Sequence, residues 1–152
     1  MVNDLDGRAG AVEARGVADE LRPVLLKLNR ELRREVHELG VTGGQVSLLV
    51  QIWKREGIGV AELAALERMS AAAMSGYVDR LEKAGLVTRA RSGVDRRRVG
   101  LALTGEGLRV LRAVRSRRTA WLAARLARLS HEELGAVRSA VEPLGRLLEE
   151  AP

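Results

Sequence analysis

The chain has 152 residues, a formal net charge of +6, 46% hydrophobic and 30% charged residues, and no cysteine. Those figures suit one domain with a core of its own, and the lack of cysteine excludes disulfide scaffolds, thiolate metal sites and cysteine nucleophiles. Two histidines, His37 and His131, are too few for a multi-histidine metal centre, and no cofactor is expected.

No apolar run is long enough for a membrane span, and the N-terminus, MVNDLDGRAG, lacks a basic segment followed by an apolar stretch. No membrane partner is expected, and the expected compartment is the cytoplasm. Residues 1–12 carry no periodic pattern and are expected to be disordered. From Val17 the apolar residues Leu21, Val24, Leu25, Leu28, Leu32, Val36 and Leu39 recur every three or four positions, which predicts an amphipathic helix ending at Gly40. Pro23 either delays its start to near Leu21 or kinks it there. Thr42 and Gln45 read as a capping box opening a second helix through Val46, Leu49, Ile52 and Trp53, which stops at Gly57 to Gly59.

Two short helices follow, Val60 to Met69 and, after a turn at Ser70, Ala71 to Ala84 with Met74, Val78 and Leu81 on one face. Gly85-Leu86 fits a helix stop in which the residue after the glycine folds back on the last turn. The period then changes. Leu86 to Arg91 and Arg98 to Leu103 read as strands, the second with Val99, Leu101 and Leu103 alternating inward, and Ser92-Gly93-Val94-Asp95 supplies the turn of a hairpin. Thr104 caps a long helix to about Leu129. Ser130 with Glu133 forms a second capping box, opening a last helix whose Leu134, Val137, Val141, Leu144 and Leu148 make a coiled-coil-like seam that Pro143 should bend.

Charge is unevenly spread. Residues 68–118 contain thirteen basic and four acidic residues, net +9, so the remainder carries −3. A cationic centre between mildly acidic ends is the footprint of a nucleic-acid face, although a solvated arginine-rich surface gives the same pattern.

The element order is that of a winged helix-turn-helix, in which a short helix enters the major groove and flanking residues hold the phosphates. Opposite the apolar face of the second short helix stand Ser70, Ala72, Ala73, Ser75, Gly76 and Asp79. These small side chains permit close approach but offer few hydrogen bonds, so direct base readout is expected to be weak there, with Arg80 and Lys83 placed for phosphate. Arg96, Arg97 and Arg98 sit at or beside the hairpin tip, where arginine is suited to a narrow minor groove. Asp95 reads as an orienter of a tip arginine. Trp53 and Trp121 read as core, and together with His37 they are the candidates for lining a ligand pocket.

The stretch DRRRVGLALTGEG, with Asp95, Arg97, Leu101, Leu103 and Thr104, resembles the wing signature of the MarR family of bacterial transcription regulators. Thr42, Gln45 and the run from Val78 through Val87 are similar to the same family. The resemblance covers Val17 to Glu149. It implies a mainly α fold with a small β-hairpin wing: a winged helix-turn-helix over 41–103 and a helical dimerisation region from 13–40 and 104–150. It also implies a homodimer on double-stranded DNA, with Arg97 as the minor-groove arginine, Asp95 its orienting partner, and Ser70 to Gly76 facing bases. Such proteins usually repress nearby genes and release DNA when a small phenolic or lipophilic ligand binds where the dimerisation helices meet the winged domain. The first and last helices support a dimer independently, because their apolar seams exceed what a small winged domain can cover, and a two-fold dimer implies a palindromic operator. The alternative is a weakly specific or architectural DNA binder without an effector. An enzyme has no support, since neither a nucleophile paired with a base nor a phosphate-binding glycine loop is present.

Overall fold

The computed structural model describes residues 3–91 and 99–149, with side chains over 10–90 and 99–149. Six helices and a two-stranded antiparallel sheet follow in the order α1 (Asn3–Arg34), α2 (Gly43–Lys54), α3 (Val60–Leu66), α4 (Ala71–Lys83), β1 (Val87–Arg91), β2 (Val99–Leu103), α5 (Gly105–Leu126) and α6 (His131–Arg146). A short 3-10 turn, His37–Leu39, joins α1 to α2.

Both capping boxes form. The Thr42 hydroxyl accepts from the Gln45 amide and the Gln45 side chain accepts from Thr42 N, at 3.2 and 2.8 Å. Ser130 and Glu133 do the same at 3.1 and 2.8 Å. The start of α1 differs from the sequence reading: where the first dozen residues were expected to be disordered, the helix begins at Asn3 and runs through Pro23 to Arg34. Ala9, Ala11, Glu13, Ala14 and Arg15 lack an apolar stripe but are strong helix formers, so intrinsic propensity extends the helix where periodicity is silent. Gly40, at φ 74°, caps the 3-10 turn rather than α1 itself.

The core lies between Val36 and Val114. Leu49 and Ile52 of α2, Leu63 of α3, Met74, Val78 and Leu81 of α4, Val87 and Leu101 of the sheet and Val114 of α5 are its closed centre. Burying each such side chain contributes about 1.5–3 kcal/mol, so this helical layer over the hairpin carries most of the stabilisation. α1 and α6 contribute none of their described side chains to it.

The strands pair Val87 with Leu103 through Arg91 with Val99. On the other edge of β2, Gly57 N donates to Leu101 O and Leu101 N to Ile58 O, both at 2.9 Å, so the turn after α2 adds a one-residue third strand. Of the three residues expected to point inward, Leu101 is buried and Leu103 packs against the core, but Val99 is 53% exposed. Gly100 is buried instead because the α2 turn crosses it: a Cβ there would lie 2.4 Å from the Gly57 carbonyl oxygen.

Candidate nucleic-acid interface

α3 and α4 meet through a turn in which Arg68 adopts φ 52°, an unusual left-handed conformation for a residue with a Cβ. Ser70 caps α4, its hydroxyl accepting from Ala73 N at 3.2 Å, which leaves its proton and one lone pair for another partner. Met74, Val78 and Leu81 seat α4 in the core, which turns Ala72, Ala73, Arg80 and Lys83 to solvent and leaves Ser75 and Gly76 half-buried. Beyond its chain neighbours and the helix's own backbone, nothing lies within 4 Å of the position a Gly76 Cβ would take, so the outer surface of α4 is low and open.

The far end of α4 is closed firmly. Gly85, at φ 72°, donates to Glu82 O at 2.9 Å and Leu86 N to Leu81 O at 3.0 Å, the double bond pattern that a left-handed glycine permits after a helix. Thr104 joins this stop to the end of the hairpin: its hydroxyl donates to Gly85 O at 2.5 Å and accepts from Gly107 N at 3.0 Å. One threonine thereby holds α4, β2 and the start of α5 together.

Two features of this surface escaped the sequence reading. Arg80 lies over the ring of half-exposed Tyr77, 4.5 Å from its centroid, which orients a guanidinium that periodicity alone left free. Arg89 of β1 reaches back to α4, donating to Asp79 at 2.8 Å and to Glu82. The Asp79 hydrogen bond is the main cause of a raised Arg89 pKa, which burial opposes. Asp95, Arg96, Arg97 and Arg98 lie outside the described residues.

Behind the α2–α5 contact is a cleft of about 570 Å³. Val46, Val50 and Trp53 of α2 and Leu108 and Leu111 of α5 give it apolar walls, and Arg112, Arg115 and Arg118 line it as well. Trp53 is therefore not core but 59% exposed on the cleft. His37 and Trp121 do not line it; Trp121 is half-buried with Arg125 stacked 3.5 Å from its ring centroid. Among the described residues the three cleft arginines make no ion pair. Arg118 Nε donates to Leu32 O at 3.2 Å, and burial, then Arg33, lowers its pKa. Beside it Arg117 pairs with Glu35 at 3.4 Å and with Glu38, fastening α5 to the chain just after α1.

A family model described as "MarR family" matches residues 41–99, from the α2 cap into the hairpin. Over 136 residues the chain is 30% identical to the uncharacterized HTH-type transcriptional regulator Mb0904 of Mycobacterium bovis, covering 90% of this chain and 95% of that protein. The chain belongs to the MarR family. It is a helix-turn-helix transcription regulator, not an enzyme. A second relative within reach of this MarR family chain is the HTH-type transcriptional repressor MdtR of Bacillus subtilis, 31% identical over 75% of this chain and 74% of that one. Among solved structures, the transcriptional regulator Tm0710 of Thermotoga maritima superposes with a TM-score of 0.74 at 25% identity, over 88% of this chain and 94% of that chain. The mainly helical fold with a two-stranded wing is thus the family's winged helix. No helix of the described residues is long and apolar enough to cross a membrane.

Proposed function

We propose that this MarR family regulator is a homodimeric repressor that binds a palindromic operator in the cytoplasm and is released by a small effector. The observation that carries the reading is the outer surface of α4, where Ala72, Ala73 and Gly76 leave room for a groove wall while Arg80 and Lys83 stand beside them as phosphate partners. Ser70 and Ser75 supply the hydroxyls of this surface. Arg96, Arg97 and Arg98 of the wing tip extend the contact into the minor groove, Arg97 oriented by Asp95, as the family resemblance implies.

Dimerisation is supported by apolar surface that the subunit leaves uncovered. Val17, Val24, Leu25 and Leu28 on α1 are all at least 37% exposed, and so are Val137, Val141 and Leu148 at the other end of the chain. Exposed apolar stripes at helical spacing are surfaces for another helix, so α1, α5 and α6 form the dimerisation region in this reading. The repressor assignment draws on the likeness to MdtR. The α2–α5 cleft, apolar with three arginines that make no ion pair among the described residues, suits an effector with an apolar body and an acidic group, phenolic or lipophilic.

A second reading, a weakly specific DNA binder, is favoured by the same short side chains of α4, which offer little direct base readout. Footprinting on the DNA flanking the protein's own gene, with sedimentation of the complex, tests the first reading. Two-fold symmetric protection by two chains per site is expected; protection without preferred position would contradict it.

A further inference from the structure

Arg80 and Lys83 on α4 are matched by two acids, Asp79 and Glu82, so the helix alone carries no net charge with which to hold a polyanion. At about 100° per residue, Ala72, Gly76 and Lys83 lie opposite the buried Met74, Val78 and Leu81, and Asp79 borders that outward strip with Glu82 further round the same side. A carboxylate so placed repels phosphate unless its charge is answered. Arg89 answers both from β1, with Nη2 2.8 Å from Asp79 Oδ1 and Nη1 on Glu82 Oε2, and it is the least exposed of the three. Apart from the Thr104 hydroxyl on Gly85 O at the helix stop, Arg89 is the side chain that links α4 to the hairpin among the described residues.

We propose that Arg89 is a positioning residue for DNA binding: from the root of the wing it holds Asp79 and Glu82 and withdraws their charge from the approaching phosphates. The forked guanidinium is suited to this, since its two terminal nitrogens reach two separate carboxylates at once, which a single ammonium does less well. The raised Arg89 pKa agrees with a cation that stays charged throughout the working range of a cell. The proposal rests on the reading of α4 as the DNA-facing helix.

The test measures affinity of the full-length protein for a duplex from its own upstream region by fluorescence anisotropy at one salt concentration, with melting curves for every variant. Arg89→Gln should weaken binding about tenfold, because two carboxylates are freed beside the phosphates. Adding Asp79→Asn and Glu82→Gln to that variant should bring affinity back to within about threefold of wild type, since the repulsion is removed with its source. A merely structural role for Arg89 would not yield that recovery. Wild-type affinity in Arg89→Gln, or a triple variant that melts normally but binds as weakly as Arg89→Gln, would overturn the proposal. Should Arg89→Gln fail to fold, the Asp79→Asn, Glu82→Gln pair in the wild-type background decides: tighter binding supports the proposal, and equal or weaker binding overturns it. A wild-type protein that binds no duplex would instead remove the DNA-facing reading of α4, and this proposal with it.

Discussion

Gly107 and Gly76 are both helical glycines, yet they stand in opposite surroundings. A Cβ on Gly107 would lie 2.1 Å from the Leu86 carbonyl oxygen, a backbone atom that cannot swing aside, while one on Gly76 would meet nothing within 4 Å. Gly107→Ala should therefore cost about 2 kcal/mol of stability through overpacking, and Gly76→Ala should add about 0.5–1 kcal/mol through helix propensity. Urea unfolding of the two variants checks both signs. Titration is also a single-residue matter. The Glu133 carboxyl is held below its ordinary range by hydrogen bonds from Ser130, the backbone one first, and that of Glu106 by Arg109. A depressed carboxyl contributes stability that is fully present above its unfolded value, about 4.3, and is lost as pH falls through the lower folded value. Unfolding measured from neutral to acid pH should show that loss, and Glu133→Gln should flatten part of it, because glutamine keeps the capping box, as Gln45 does, without a proton to bind.

Among the elements, the start of α5 depends on Thr104, whose hydroxyl serves the helix and the Gly85 carbonyl together. Thr104→Val preserves the shape and removes both bonds, so a loss of about 1–2 kcal/mol is expected, read as an earlier melting transition. This junction also shows what was legible in the sequence. Caps and stops are local chemistry: Thr42 with Gln45, Ser130 with Glu133, and Gly85 with Leu86 each act within a few residues, and each forms as read. The α4 face opposite Met74, Val78 and Leu81, read as Ser70, Ala72, Ala73, Ser75, Gly76 and Asp79, is exposed at Ala72, Ala73 and Asp79 but half-buried at Ser75 and Gly76. Features that depend on a distant partner were not legible. Arg89 finds its acids ten and seven residues back, across an element boundary. A large apolar residue on a helix usually packs, which reads Trp53 as core, but the residues opposite it on α5 leave a cleft. Val99 follows the strand alternation, but the turn after α2 lies over Gly100 instead, leaving Val99 exposed.

For the whole molecule, the chain buries its core between Val36 and Val114 and leaves the apolar sides of α1 and α6 exposed. The net charge of +6 resolves along the chain into a cationic middle, where α4 and the wing stand, and slightly acidic remainders that hold those apolar helices. The proposed dimer, by covering the helices and doubling the cationic head, would account for both facts. Charge placed on the seam should prevent it: Val137→Glu with Val141→Glu is expected to sediment as a monomer and to lose operator affinity, and an unchanged dimer would place the interface elsewhere. The central claim is that this MarR family chain recognises a particular DNA sequence. Its most direct test is the ratio of wild-type affinities for DNA flanking its own gene and for a random duplex of equal length at one salt concentration. The account predicts a ratio of about a thousandfold or more; a ratio near unity would contradict it.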